Sequence, residues 1–428
     1  MMIRHILVLE VFALLLTAGT ICTAQSPVAT VNVRLQQRDV VGEVLSIDEM
    51  SVKIRVGDKR LELLPSELFE LGAIQEQGGR PWIVLTHGEV IVVDKVTLGV
   101  ADIVGDSLTW KKFRCPLGMV QAVLYQPPHD LLARDELLQT VRSVAANEMQ
   151  GGGDGIVLHD GTKLTGKLTL LDDRRLELTV TGLKTPVAFA VSAVSALFFA
   201  RKVAGAEPRN EVQQFGFNNG SYGGAKSVIR DGEKLVWQTV SGLKLETLPP
   251  FLSSEIASFN PWSAVSYYRP VGKRFLFLHD VKPTQYRYLP IFKSVYDKQI
   301  ARGYGLGRNA IGGTLRVAGK LYLAGVGMVS VSRLTFDIPA GYTRFQSDVG
   351  IDSRAAEQGS VSVHVLLQGK QGSEWQSAFD SPVVRGGDDL RSIDIPLGDA
   401  RRLSLVVDMA DRADILDYAN WVNARFVK

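Results

Sequence analysis

Four aspartates near the C-terminus, Asp408, Asp411, Asp414 and Asp417, recur at intervals of three. Such a run is rich in the oxygen donors a hard cation takes, but it has no EF-hand pattern. A second group of residues has the types that sugar recognition needs: an aromatic face for the C–H side of the ring and planar polar groups for its hydroxyls. Trp375, Tyr304 and Tyr342 are the aromatic candidates, and Asn309, Asp352, Arg354 and Asp417 the polar ones. Trp421, flanked by Ala419, Val422 and Ala424, reads instead as a core residue of the last strand. Other chemistries lack their residues. The six histidines (His5, His87, His129, His159, His279, His364) include no pair at i, i+4 and have no cysteine partners, which argues against zinc. There is no nucleophile elbow and no P-loop, and Gly303-Tyr-Gly-Leu-Gly307 is not followed by the helix that phosphate binding needs. Cys115 sits at a strand end with no activating neighbour and reads as a buried thiol. The expectation is a non-catalytic protein.

The elements that must position these residues are strands. From Gly319 to Asp352 the chain reads as three of them, carrying Leu321 and Leu323, then Leu334, Phe336 and Ile338, then Phe345, Val349 and Ile351. Gly325-Val-Gly327 and Pro339-Ala-Gly341 read as the turns between them. Alternation continues through Ser360–Leu366 and Leu403–Asp408. Half-buried strands at short spacing predict a two-sheet antiparallel sandwich.

The order of these pieces resembles the NPCBM family, whose fold is a galactose-binding-like β-sandwich. The resemblance runs through Phe275–Pro283, Gly325–Asp337, Tyr342–Phe345, Val349–Asp352, Gly359–Val363 and Asp414–Ala424, about 150 of the 428 residues in all. Val329 stands where the family often carries a histidine, and Gln368 where a hairpin aspartate is usual. The resemblance implies a carbohydrate-binding sandwich over residues 273–428. It also implies a structural calcium in the aspartate run, at Asp411 and Asp414.

The rest of the chain is too long for one core, and its length predicts roughly two to four domains. Residues 30–127 read as two small β-barrel-like units, 155–203 as a third and 213–262 as a fourth, each with the short strands of an SH3- or Sm-like barrel. The third is clearest: Ile156–Leu158, Leu164–Leu170, Leu176–Val180 and Val187–Ala190 are strands, a connector follows, and Leu197–Phe199 closes. Segment 128–154 reads as one helix, Asp130 to Met149, with a glycine linker. Its apolar stripe of Leu131, Leu138, Val141 and Ala145 is expected to pack on the second unit. Asn260–Gly272 reads as the boundary before the sandwich. The fold class is therefore all-β: several small barrels, one helix and a C-terminal sandwich.

Residues 1–24 have the basic, apolar and small-residue layout of a signal peptide, so the protein is expected to be exported, to the periplasm, cell surface or medium. No other stretch approaches membrane-spanning length. A formal charge of +3, with basic residues occurring singly, argues against nucleic acid. The expected partner is a glycan. Two other readings remain, a scaffold whose barrels bind cell-envelope proteins and an accessory part of a glycoside hydrolase system.

Overall fold

The computed structural model describes residues 30–428 except 36–38, 49, 99–100, 148–153, 172–173, 200–211, 249–259, 272–273, 290–302, 370–372 and 412. The expected signal peptide, the Gly151–Gly153 linker and Met149 lie outside the described residues.

Four times along the chain a run of antiparallel strands ends on one that returns to the first of its run. Leu68–Gly72 pairs with Thr30–Leu35, and Val120–Leu124 with Trp82–Leu85. Val194–Phe198 pairs with Asp154–Leu158, and Val265–Arg269 with Gln213–Phe217. In the last three the closing strand follows a 3-10 turn, at Leu117–Met119, Val191–Ala193 and Pro261–Ala264. Closure removes exposed strand edges, which lets such short strands persist. The fourth closing strand lies in the segment expected to be a boundary. Its five residues are all buried, so it lacks the alternation that would mark a strand in the sequence.

The barrels also join one another edge to edge. Leu71 and Gly72 pair with Tyr268 and Tyr267, Ala122–Leu124 with Ala196–Phe198, and Val90 with Tyr222. One apolar core runs from Val33 to Tyr268 through all four units. At its centre Trp110 packs edge-on against Phe217 at 4.8 Å and lies 5.9 Å from Trp237, while its indole N–H donates to Ser221 Oγ at 3.1 Å.

The helix spans Leu131–Asn147 and is capped by Asp130, whose carboxylate accepts from the Ala133 amide at 2.8 Å. Leu138 is buried among Trp82, Val92 and Leu124 of the second unit, but also Val157, Ala196 and Phe198 of the third, with Leu321 of the sandwich in the same cluster. The helix therefore fills a corner among three bodies rather than one face of the second unit. The side chains of Val141 and Ala145 lie outside the described residues.

The C-terminal sandwich has two sheets. The first contains Gly325–Val329, Tyr418–Val427, Arg344–Ile351 and Arg391–Pro396 in that order, with Phe275–Phe277 on the far part of Tyr418–Val427. The second runs Gln285–Tyr288, Ser332–Asp337, Arg402–Met409, Ser360–Gln368 and Gln376–Asp380. Leu334, Phe336, Val363, Leu405, Phe345, Val349 and Trp421 meet between them. Gly325-Val-Gly327, expected to be a turn, begins a buried strand instead. A Cβ on Gly327 would lie 2.3 Å from the Ala310 nitrogen, so the glycine marks close passage of the Asn309–Ala310 backbone.

The outward face of the first sheet is covered by the barrels. Arg34 donates to both oxygens of Asp348 at 2.6 and 3.0 Å, Asn423 Nδ2 to Glu70 at 3.2 Å, and the Arg425 guanidinium lies 3.7 Å from the Phe69 ring centre. Phe69 also meets Phe275 edge-on at 5.4 Å. At one end the hairpin Leu315–Tyr322 presses on the helix: Arg316 makes a bidentate contact with Asp135, both bonds 3.0 Å, and donates to Glu76 at 2.7 Å. Among the described residues no helix is long and apolar enough to cross a membrane.

Candidate functional site

The polar residues singled out in the sequence fall into two buried clusters. Asn309 and Asp352 meet at 3.3 Å, and Asn420 Nδ2 donates to the same Asp352 oxygen at 2.6 Å. The other Asp352 oxygen accepts from the Arg354 amide at 2.9 Å, capping the turn Ser353–Ala355. Asn309 itself closes a tight loop, its carbonyl oxygen accepting from the Gly313 amide at 2.7 Å. Asp352 and Asn309 are each 3% exposed. Burial pushes the Asp352 carboxyl above its ordinary range, against the opposing pull of these hydrogen bonds. The cluster pins the Leu315–Tyr322 hairpin to the sheet, because Asn420 also donates to the Arg316 carbonyl at 3.2 Å.

Asp417 sits apart from that cluster. It accepts from Ser330 Oγ and from the Ser360 amide, both at 2.9 Å, and burial raises its carboxyl too. Arg354 reaches Glu136 on the helix at 3.0 Å. Tyr304 packs against Tyr286 at 5.0 Å, and Tyr342 lies beside Phe426 with the Lys428 ammonium 5.8 Å from its ring. Asp411 pairs with Arg385 at 2.8 Å. A calcium ion takes six to eight oxygens, whereas here a guanidinium already occupies Asp411. Among the described residues no group of three or more His, Cys, Asp or Glu residues is placed to hold a metal ion, so the aspartate run does not fit the ion. Cys115 is buried in the barrel core, and burial, with Glu89 and Asp102 nearby, pushes its thiol up to about 12.

Trp375 stands elsewhere, at the open face of the second sheet. Strand alternation sends Leu334, Phe336, Leu403 and Leu405 inward and Arg333, Thr335, Arg402 and Ser404 outward. The Arg333 guanidinium lies 4.0 Å from the Trp375 ring centre and that of Arg402 5.5 Å. Arg333 Nε donates to Ser404 Oγ at 3.1 Å, and Ser404 and Thr335 share a hydrogen bond of 2.7 Å. Further along this face His364 bridges Asp380 at 2.5 Å and Asp408 at 3.5 Å. A half-exposed aromatic ring with guanidinium donors at its margin, laid over the buried Thr335–Ser404 hydroxyl pair, forms a shallow surface of the kind a saccharide uses. Arg333, Arg402 and Asn420 escaped the sequence reading. Their one local signal was their placement between the inward positions of apolar strands.

Residues 294–427 match the family model described as NPCBM/NEW2 domain, and this part of the chain is such a domain. Its fold begins earlier, since Phe275–Phe277 and Gln285–Tyr288 are strands of the same two sheets. A stretch of 116 residues is 27% identical to the "Putative endo-alpha-N-acetylgalactosaminidase" of Renibacterium salmoninarum, covering 27% of this chain. The chain spans only 7% of that relative. Among solved structures, the CBM51 module of Clostridium perfringens GH95 in complex with methyl-galactose is 18% identical. That alignment covers 36% of this chain and 99% of that one, with a TM-score of 0.30. The CBM51-2 and INT domains of Clostridium perfringens ZmpB are 19% identical over 48% of this chain and 40% of that one, with a TM-score of 0.31.

Proposed function

We propose that this is an exported, non-catalytic glycan-binding protein, and that the open face around Trp375 is where the sugar lies. The observation that carries the reading is the NPCBM/NEW2 domain at 294–427, with one sheet face that the barrels leave uncovered among the described residues and that carries an aromatic ring. The barrels clamp the other sheet and hold the domain at a fixed orientation. Export rests on the leader-like residues 1–24. Binding at so shallow a surface is weak per site and is strengthened when several copies are displayed together. The test is titration of the full chain against a diverse glycan panel by calorimetry. Trp375→Ala should lower the affinity for whichever glycan binds by about tenfold or more, the usual loss at a central aromatic anchor. An unchanged affinity would move the site off this face.

A further inference from the structure

Arg287 and Arg333 are direct cross-strand partners on the open face, and Arg402 reaches the same tryptophan from the next strand. Like charges placed opposite each other in a sheet are destabilising. Burial, then the fields of Arg287 and Arg402, lowers the pKa of Arg333. Among the described residues no carboxylate ion-pairs with any of the three, although Asp337 stands directly across the ladder from Arg402. Two further acidic groups of this face, Asp380 and Asp408, turn to His364. Asp408 lies six residues along the strand from Arg402, about 20 Å at the rise of a β-strand.

The chemistry of Arg333 is the most telling. Its central carbon lies over the indole, 4.0 Å from the ring centre, and its Nε is held by Ser404. The guanidinium is thus fixed in orientation, while no protein acceptor among the described residues takes its two terminal nitrogens. A fixed fork of N–H donors matches the paired oxygens of a carboxylate or sulfate. Arg287 and Arg402 flank the fork and add positive potential where a second oxygen or a neighbouring charged residue of a polymer would fall. Neutral sugars need no such concentration of charge.

We propose that the glycan bound at Trp375 is acidic, a saccharide whose carboxylate or sulfate lies on the Arg287–Arg333–Arg402 cluster while its ring lies against the indole. This rests on the glycan-binding reading above and narrows its ligand class. The full chain is titrated at near-physiological salt with polygalacturonate, dextran sulfate, neutral dextran, neutral galactan and polyglutamate. Saturable binding of polygalacturonate, dextran sulfate or both is expected, with the neutral polymers and polyglutamate at least about tenfold weaker. The two acidic arms tell carboxylate from sulfate recognition. Arg333→Gln and Arg402→Gln should each weaken acidic-glycan binding by about tenfold or more. Arg333→Lys, which keeps charge but loses the fork, should fall between them and the native chain. Affinity should also decline as salt rises. Near-UV circular dichroism confirms the fold of each variant, and Arg402→Gln carries the test if Arg333→Gln does not fold. Binding of a neutral polymer that is indifferent to both glutamine variants overturns the acidic assignment and leaves glycan binding intact. Polyglutamate binding as well as polygalacturonate reduces the cluster to a general anion patch and overturns the proposal. No binding by any saccharide overturns this proposal and the parent reading together.

Discussion

At the scale of single residues, the same chemical type serves opposite ends according to what surrounds it. Asp352 and Asp417 are buried and hydrogen-bonded by neutral donors, so their work is to fix loops, whereas Asp380 and Asp408 stay at the surface beside His364. Burial raises the carboxyl of Asp352, and the sign of its linkage follows. A folded-state pKa above the unfolded one means the native state binds the extra proton, so this contribution to stability is full below the unfolded pKa. It is lost as pH rises through the folded value. Asp352→Asn has the same shape without the titration. It should be less stable than the native chain, because Asn309, Asn420 and the Arg354 amide all donate to this site. Its stability should nonetheless fall less between about pH 4 and pH 7. Urea melts across that range decide it, and an equal slope in both proteins would remove Asp352 from the pH dependence. The residue types that sugar recognition needs can be picked out in the sequence, but which of them stay at the surface cannot. Nothing beside Asp352 or Asp417 in the sequence announces their burial, whose partners, Asn420 for the first and Ser330 and Ser360 for the second, lie far along the chain.

The elements were easier to read than their contacts, because alternation is local and docking is not. Leu334, Phe336 and Ile338 announce a strand from their own spacing. Gly325-Val-Gly327 has the composition of a turn, and what makes it a strand is its pairing with Tyr418–Val422, with the Asn309–Ala310 backbone passing close over it, which no neighbouring residue reveals. Arg316 shows the same limit: its partners Asp135 and Glu76 are 181 and 240 positions away. The helix is where these long-range contacts converge. Its Leu138 fills a corner walled by two barrels and touched by the sandwich. A cavity there cannot be closed by moving one element alone, so Leu138→Ala should cost about 2–5 kcal/mol. An exposed position of the same helix, such as Glu136, should cost well under 1 kcal/mol when replaced by alanine. Chemical denaturation of both variants checks the contrast, and similar losses would mean that the helix is not a keystone of the packing.

For the molecule as a whole, the division of labour between the two sheets of the sandwich is the organising fact. One sheet is covered on its outward face by the barrels through Arg34–Asp348, Glu70–Asn423 and the Phe69–Phe275 edge contact, and the other, among the described residues, keeps its outward face open with Trp375. A covered face held by buried charges binds the stabilities of its two sides together. Removing one partner of such a pair leaves an uncompensated charge in the interior and costs about 3–5 kcal/mol. Arg316 is the extreme case. Burial alone would lower its pKa, yet its hydrogen bonds to Asp135 and Glu76 outweigh burial and raise it. Separating the sandwich from the barrels would part Arg316 from both carboxylates and lose these charge-assisted hydrogen bonds. Barrels and sandwich should therefore melt as one cooperative unit, with calorimetric and van't Hoff enthalpies in agreement. Replacing Arg316 and Arg34 together by alanine should split the transition in two, the barrels and the sandwich each unfolding at its own temperature. Two transitions already present in the native chain would show that the interface is incidental. The sandwich would then be a module that merely rests on its neighbours, free to present its open face in more than one direction.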